Sequence, residues 1–120
     1  MSVLTGYDGT DFYCDVALPN VSALDVVRET ELTLAYHHTK PFWPVHIVVI
    51  PKRHLGSLTT VTADDEADVK DLLAVAQEIA ARIERENGAA RVLTNLGGYQ
   101  DSKHLHVHVS SGDPLQGPTV

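Results

Sequence analysis

Three of the seven histidines stand at every second position of the stretch KHLHVHVS, residues 103–110. Side chains at positions i, i+2 and i+4 of an extended chain point to one face. His104, His106 and His108 are therefore predicted to share a face, with the aliphatic residues between them turned into a core. A neutral imidazole, whose pKa is about 6.5, can act as a nucleophile or a metal ligand at physiological pH. The histidine row therefore predicts a catalytic or metal-binding site.

Three interpretations of this row are open. A solvated strand face tolerates histidine without any function, although three in register repel one another when protonated. Alternating imidazoles can bind one zinc ion, with His46 or His54 as a further ligand. An imidazole can also attack phosphorus and form a phosphoramidate that water then hydrolyses. Backbone N–H groups of the glycine-rich NLGGYQ, which contains Gly98, suit phosphate oxygens. We favour phosphoryl chemistry.

Metal binding is the less favoured interpretation. The chain has a single cysteine, Cys14, which excludes an internal disulfide and a cysteine-rich zinc site. Metal-bound histidines also need carboxylates or carbonyls behind them, and Asp101 is the acid that precedes the row. We therefore expect no bound metal ion and no cofactor.

Charge and composition exclude several classes of protein. Sixteen acidic against nine basic side chains give a formal net charge of -7 over 120 residues. Nucleic-acid binding needs a net basic surface, so we expect none, although a small phosphate ligand is compatible. No apolar stretch approaches the roughly 20 residues of a membrane span, and the first residues show no signal-peptide pattern. We expect a cytoplasmic protein without a membrane partner.

The secondary-structure elements predicted around the histidine row indicate an α+β fold. Apolar alternation at Leu32, Leu34 and Tyr36 predicts a hairpin over residues 24–38. Neighbouring strands joined by short turns should pair antiparallel, with the helices on one face of the sheet. The further predictions are a short helix at 11–18 ended by Pro19-Asn20, strands at 45–51 and 91–96, a turn at 97–102, and then the histidine strand. One domain at 11–110 lies between a flexible start at 1–10 and a tail at 111–120.

The long helix is the clearest local prediction. Thr62 is its expected N-cap, and three acidic residues follow in the first turn, where the helix dipole favours negative charge. Asn87-Gly88 supplies the stop. An apolar face at helical spacing consists of Val69, Leu72, Leu73, Ala76, Ile79, Ala80 and Ile83.

Three stretches resemble the histidine triad (HIT) family. QDSKHLHVHVS is similar to its signature, Gln-x-x-x-His-φ-His-φ-His-φ-φ with φ hydrophobic, although Ser110 is polar at the last φ. PVHIVVIPKRH (44–54) and RVLTNLGG resemble the segments that precede the triad. The resemblance, nearest the Hint-type nucleoside phosphoramidase branch, implies an antiparallel meander sheet with one long and one short helix. It also implies a homodimer with one continuous sheet, and nucleotide hydrolase or transferase activity.

The resemblance also implies roles for individual residues. His106 would attack the α-phosphate of a purine nucleotide or nucleotide conjugate, and His108 would contact that phosphate. His104 and His46 would orient the nucleophile and relay protons. Asn95 and Gln100, with Gly98 between them, would hold the phosphate and ribose. We also expect some of Tyr36, His37, Phe42 and Trp43 to line the base pocket or a dimer edge.

Three further positions depart from the family pattern. Asp101 replaces a serine or threonine that assists the leaving group, and His38 stands where the branch has an acid for the ribose hydroxyls. Asp11 replaces the first cysteine of an N-terminal Cys-x-x-Cys, so we expect no structural zinc there. These departures keep alternatives open: dinucleoside polyphosphate hydrolysis, or a nucleotide-binding module without turnover.

Overall fold

A five-stranded antiparallel sheet forms the centre of the protein. The computed structural model describes residues 9–115, so the predicted flexible start and the end of the predicted tail lie largely outside the described residues. The predicted α+β class, with one long and one short N-terminal helix, is confirmed. The strands are β1 Val26–Glu29, β2 Thr33–His37, β3 Val45–Pro51, β4 Arg91–Leu93 and β5 Val107–Ser111. They lie in the sheet in the order β1-β2-β3-β5-β4.

The strands follow the sequence pattern closely in the first half of the sheet and less closely in the second. β1 and β2 form the predicted hairpin, and β3 pairs with β2 and β5. The strand predicted over 91–96 ends at Leu93, because Thr94 Oγ1 instead donates to the His106 carbonyl, 2.7 Å away. The histidine row is only partly a strand: β5 begins at Val107, so His108 alone lies within it.

The long helix α1, Glu66–Asn87, packs on one face of the sheet. The Thr62 hydroxyl accepts the Asp64 N–H, and the Asp65 carboxylate accepts the Thr62 N–H, which caps a short turn leading into α1. A cap of this kind contributes about 1 kcal/mol. Gly88, with φ +81°, ends the helix as predicted. Among the described residues, no helix is long and apolar enough to cross a membrane.

The apolar face of α1 differs from the prediction at one position. Leu73 is 56% exposed, so its inclusion in the predicted apolar face is wrong. Successive helix residues turn by about 100°, so Leu73 falls beside the stripe that Leu72 and Ala76 define. Val75, which the prediction omitted, is buried there instead.

The N-terminal helix lies on the opposite face of the sheet. Tyr13–Ala17 continues into the 3₁₀ segment Leu18–Ala23, whose backbone is non-helical at Asn20 (φ -127°, ψ 40°). The predicted end at Pro19-Asn20 therefore coincides with a kink, and helical turns continue beyond it. Proline is tolerated in the first turn of a helix because its missing N–H has no partner there. Tyr13 packs against Tyr36 and Val48 on this face, so the expectation that both helices share one face is also wrong.

The period-two alternation of β3 and β5 sorts their side chains between the two faces. Ile47 and Val109 face α1 within the larger core, so the residue before Ile47, His46, and the residue before Val109, His108, point to the opposite face. Val48 pairs with His108 across the strands, which makes His46 and His108 diagonal neighbours. Diagonal side chains on one face of a sheet are close enough to interact.

Candidate active site

A cleft of about 490 Å³ opens on the sheet face opposite α1, within the size range of small-molecule sites. Much of its wall is aromatic, and it includes Tyr36, Phe42 and Trp43 of the predicted set but not the exposed His37. Six of the predicted site residues line this cleft: His38, His46, Asn95, Asp101, His106 and His108.

His106 presents one unprotonated nitrogen to the cleft. Its Nδ1 lies 2.7 Å from the carbonyl oxygen of His104. A carbonyl only accepts hydrogen bonds, so Nδ1 carries the proton and Nε2 has the free lone pair. Burial lowers the pKa of His106, which keeps the ring neutral at physiological pH. The ring is thereby held in the tautomer that a nucleophile requires.

His46 and His108 form a chain of hydrogen bonds that fixes their tautomers as well. The backbone N–H of Phe42 donates to His46 Nδ1 at 2.9 Å, so a neutral His46 carries its proton on Nε2. That nitrogen lies 2.8 Å from His108 Nδ1, which must accept. His108 therefore carries its own proton on Nε2, the nitrogen left to donate to a ligand.

The low pKa values of this pair agree with the neutral tautomers. Burial lowers the pKa of His46 to about 4. Burial, reinforced by the neighbouring His106, His46 and His38, lowers the pKa of His108 to about 3. Both imidazoles are therefore uncharged well below neutral pH, so this pair offers the cleft the His108 Nε2–H donor rather than positive charge.

His38 extends the same histidine cluster. Its ring stacks on that of His46, with centroids 4.3 Å apart. The N–H of Lys40 donates to His38 Nδ1 at 3.0 Å, which leaves the proton of a neutral ring on Nε2. Burial, followed by the charges of His46 and His106, lowers the pKa of His38 to about 4. His38 is thus a neutral hydrogen-bond donor at the cleft wall.

Three predicted site residues do not line the cleft. The side chain of Gln100 is buried and donates to the Gly56 carbonyl at 2.8 Å. Gly98 is exposed on the turn beyond it. His104 directs its ring away from the cleft, toward the Pro51 carbonyl, and orients His106 through its backbone oxygen. The ligand-binding roles given to Gln100 and Gly98 stay predictions.

Sequence reasoning missed the contribution of the N-terminal helix. The Tyr13 ring lies 4.9 Å from that of His106, centroid to centroid, and Phe12 lines the cleft beside it. The Phe12 N–H donates to Ser102 Oγ at 3.0 Å, which ties this helix to the turn before the row. Local sequence patterns do not predict contacts between segments so far apart in the chain.

Within residues 9–115, two groups of donors lie close enough to hold a metal ion. In the group His38, His46 and His108, both ring nitrogens of His46 are already engaged, by the Phe42 N–H and by His108. That group does not fit a metal without loss of both hydrogen bonds. The second group, Asp11, Cys14, His54 and His104, lies outside the cleft and offers carboxylate, thiol and imidazole donors, a set that zinc accepts.

The sheet, the long helix and the histidine-lined cleft define a protein of the histidine triad type. The model of the HIT domain matches residues 20–115, and the chain belongs to the HIT family. An uncharacterized HIT-like protein of Synechococcus elongatus is 38% identical over 95 residues, which cover 78% of this chain and 83% of that protein.

Solved structures agree with this assignment. A HIT family hydrolase from Legionella pneumophila Philadelphia 1 has a TM-score of 0.73 and 27% identity, covering 90% of this chain and 97% of that one. A histidine triad protein from Clostridium difficile has a TM-score of 0.72 and 28% identity, covering 94% of this chain and 99% of that one.

Proposed function

We propose that this protein hydrolyses a nucleoside 5'-phosphoramidate or a related nucleotidyl conjugate through a nucleotidyl intermediate on His106. The observation that carries the proposal is the hydrogen bond from His106 Nδ1–H to the His104 carbonyl. It leaves the Nε2 lone pair directed toward the cleft, and the backbone oxygen stabilises the positive charge that develops on the ring during attack.

The reaction has two displacements at the α-phosphorus. In the first, a bond forms from His106 Nε2 to phosphorus, the bond to the leaving amine breaks, and the amine takes up a proton from solvent. In the second, water attacks phosphorus, the phosphorus–nitrogen bond to His106 breaks, and the proton is returned to solvent. His108 Nε2–H donates to a non-bridging phosphate oxygen in both steps, and His46 holds it in that tautomer.

The walls of the cleft support a nucleotide as the ligand. Phe42 and Trp43 pack edge to face, with centroids 4.8 Å apart, and form an apolar wall suited to a purine base. The neutral His38 offers a donor for a ribose hydroxyl. Lys40 lies on the same wall, where its ammonium group can attract a phosphate.

A nucleotide-binding module with little turnover is the second candidate, because Asp101 also lines the cleft. An ionised carboxylate near the phosphate repels the negatively charged substrate and opposes its entry into the cleft.

The two candidates are separated by an assay of adenosine phosphoramidate with wild type, His106→Ala and His37→Ala. The first candidate predicts turnover by wild type, a loss of at least about 1,000-fold in His106→Ala, and binding of adenosine monophosphate by that variant within tenfold of wild type. His37 is exposed outside the cleft, so His37→Ala should match wild type. Binding without turnover by wild type favours the module. A dinucleoside polyphosphate in the same assay tests the remaining substrate class.

We also propose a homodimer and a cytoplasmic location. β4 is an edge strand, and Val92 in it is 54% exposed. Exposed apolar edge strands are suited to pairing with another chain. The single cysteine is compatible with a reducing compartment.

A further inference from the structure

We propose that Tyr99 and Asp101 form a subsite for a positively charged leaving group, so that the protein prefers nucleotidyl conjugates of amines that carry a second ammonium or guanidinium group. The inference rests on the proposed function and deepens it, because it concerns the other product of the same reaction. Both residues line the cleft, and the proposed binding of base, ribose and phosphate uses neither of them.

The backbone of the turn directs both side chains to one side. Gln100, which lies between them, has an extended backbone with φ -87° and ψ 104°, and its buried side chain donates to the Gly56 carbonyl. Side chains two residues apart in an extended chain point the same way. Tyr99 and Asp101 therefore share the side opposite to Gln100, and that side faces the cleft.

The Asp101 carboxylate is an unpaired charge. Among the described residues 9–115, none forms a hydrogen bond or an ion pair with it. The neighbouring cation, Lys103, instead donates from Nζ to the carbonyls of Gly97 and Gln100, at 3.1 and 2.5 Å. Asp101 is exposed, and an exposed carboxylate carries a negative charge at neutral pH. The turn therefore presents a negative charge that a ligand can neutralise.

The charge of Asp101 reaches the groups around the nucleophile. Burial raises the pKa of Tyr13, and the charges of Asp11 and Asp101 raise it further. Burial lowers the pKa of His106, and the Asp101 charge is one of the influences that oppose this shift. Asp101 therefore acts on charge close to the reacting phosphate. It repels the phosphate of every substrate, but it attracts a positive charge on the leaving group.

Tyr99 adds an aromatic face for the same cation. Its side chain is 84% exposed, the largest fraction among the large apolar side chains of residues 9–115. A ring face within about 6 Å of an ammonium or guanidinium group attracts it, at an exposed site by a factor of about two to five. Asp101 belongs to neither of the described donor groups that could hold a metal ion. The pair therefore suits an organic cation.

The turn is held in place before any ligand binds. Besides the two bonds from its side chain, Lys103 donates its N–H to the Thr10 carbonyl at 2.6 Å. Ser102 Oγ accepts the Phe12 N–H at 3.0 Å. These bonds tie both ends of the turn to the rest of the protein. A subsite that is already ordered loses little conformational freedom on binding, which favours affinity.

Two conjugates of adenosine monophosphate that differ in charge test the proposal. They are the N-(3-aminopropyl) phosphoramidate, whose terminal ammonium is positive, and the N-butyl phosphoramidate, which is neutral at that end and has nearly the same shape. The readout is the ratio of kcat/KM for the charged conjugate to kcat/KM for the neutral one. Repulsion between Asp101 and the phosphate affects both conjugates, so it cancels in the ratio. Their intrinsic reactivities are the same for every variant.

The ratio should be about fivefold lower in Asp101→Asn than in wild type, because a unit charge about 4 Å away in a water-like dielectric contributes that factor. Tyr99→Leu should lower it about two- to fivefold, whereas Tyr99→Phe retains the ring and should keep it. Asp113→Asn, at an exposed acid that does not line the cleft, should match wild type. Added salt should reduce the wild-type ratio toward that of Asp101→Asn.

Binding separates this proposal from the proposed function. Dissociation constants of both conjugates for His106→Ala, with and without Asp101→Asn, give the same comparison without turnover and should show the same preference for the charged conjugate. If wild type hydrolyses neither conjugate, the proposed function fails and the binding ratio still decides on the subsite. Equal ratios in the presence and absence of the Asp101 carboxylate, in kcat/KM where turnover occurs and in binding otherwise, would overturn the proposal.

Discussion

His46 Nε2 lies 2.8 Å from His108 Nδ1, and this contact determines which nitrogen of His108 carries a proton into the cleft. The assignment follows because the Phe42 N–H occupies His46 Nδ1. His46 thus acts on the ligand only through His108, as a positioning residue.

His46→Asn should lower kcat by about 100-fold with little change in KM, because the shorter amide cannot replace the Nε2–H donor. His46→Gln should recover much of that loss, since its amide reaches about as far as Nε2. Steady-state kinetics of both variants on adenosine phosphoramidate provide the measurement. Equal losses in the two variants would show that His46 matters for packing alone.

Acid should weaken the fold over a defined range of pH. The folded-state pKa values of His38, His46 and His108 are lowered by burial to about 4, 4 and 3, whereas unfolded histidine titrates near about 6.5. The unfolded chain therefore binds more protons below that pH. The free energy of unfolding should be largest above about pH 6.5 and should fall as the pH drops toward 4.

Urea unfolding at a series of pH values measures this effect. His38→Gln removes one of the three groups and should flatten the fall between pH 6.5 and 4, whereas His37→Gln, at an exposed position, should leave it unchanged. A wild-type free energy that is constant over this range would contradict the neutral assignment.

Tyr13 should support the nucleophile through its ring rather than its hydroxyl. The ring lies against His106 and is buried, so Tyr13→Ala leaves a cavity that costs about 3–5 kcal/mol of stability and releases the His106 ring. Tyr13→Phe should keep most of kcat. Comparing kcat with unfolding free energy for both variants checks this, and a kcat loss in Tyr13→Phe as large as that in Tyr13→Ala would assign the role to the hydroxyl.

The sequence predicted those parts of the protein that local patterns govern. The β-branched run at 45–51 predicted β3, and the Thr62 N-cap and the Gly88 stop predicted the ends of α1. The period-two spacing predicted one shared face for His104, His106 and His108. His106 and His108 do line one cleft, but the prediction is wrong for His104, whose ring turns toward the Pro51 carbonyl. Contacts between distant segments left no such pattern: the packing of Tyr13 on His106, the meeting of Asp11 with His104, and the bond that turns Gln100 toward Gly56.

Asp101→Ser should raise kcat/KM by about fivefold. Asp101 is exposed on the cleft wall, and a like charge about 4 Å away in a water-like dielectric costs about 1 kcal/mol, which corresponds to that factor. Asp113→Ser, at an exposed acid that does not line the cleft, is the control. A slower Asp101→Ser enzyme at neutral pH would instead indicate that the carboxyl group protonates the leaving group.

Trapping the intermediate tests the central claim most directly. Wild type mixed with adenosine phosphoramidate and quenched within one turnover should carry one adenylyl group on the tryptic peptide that begins at His104. Fragmentation of that peptide by tandem mass spectrometry should place the group on His106, and His106→Ala should carry none. Turnover by wild type without any adduct, or an adduct on another residue, would contradict the account.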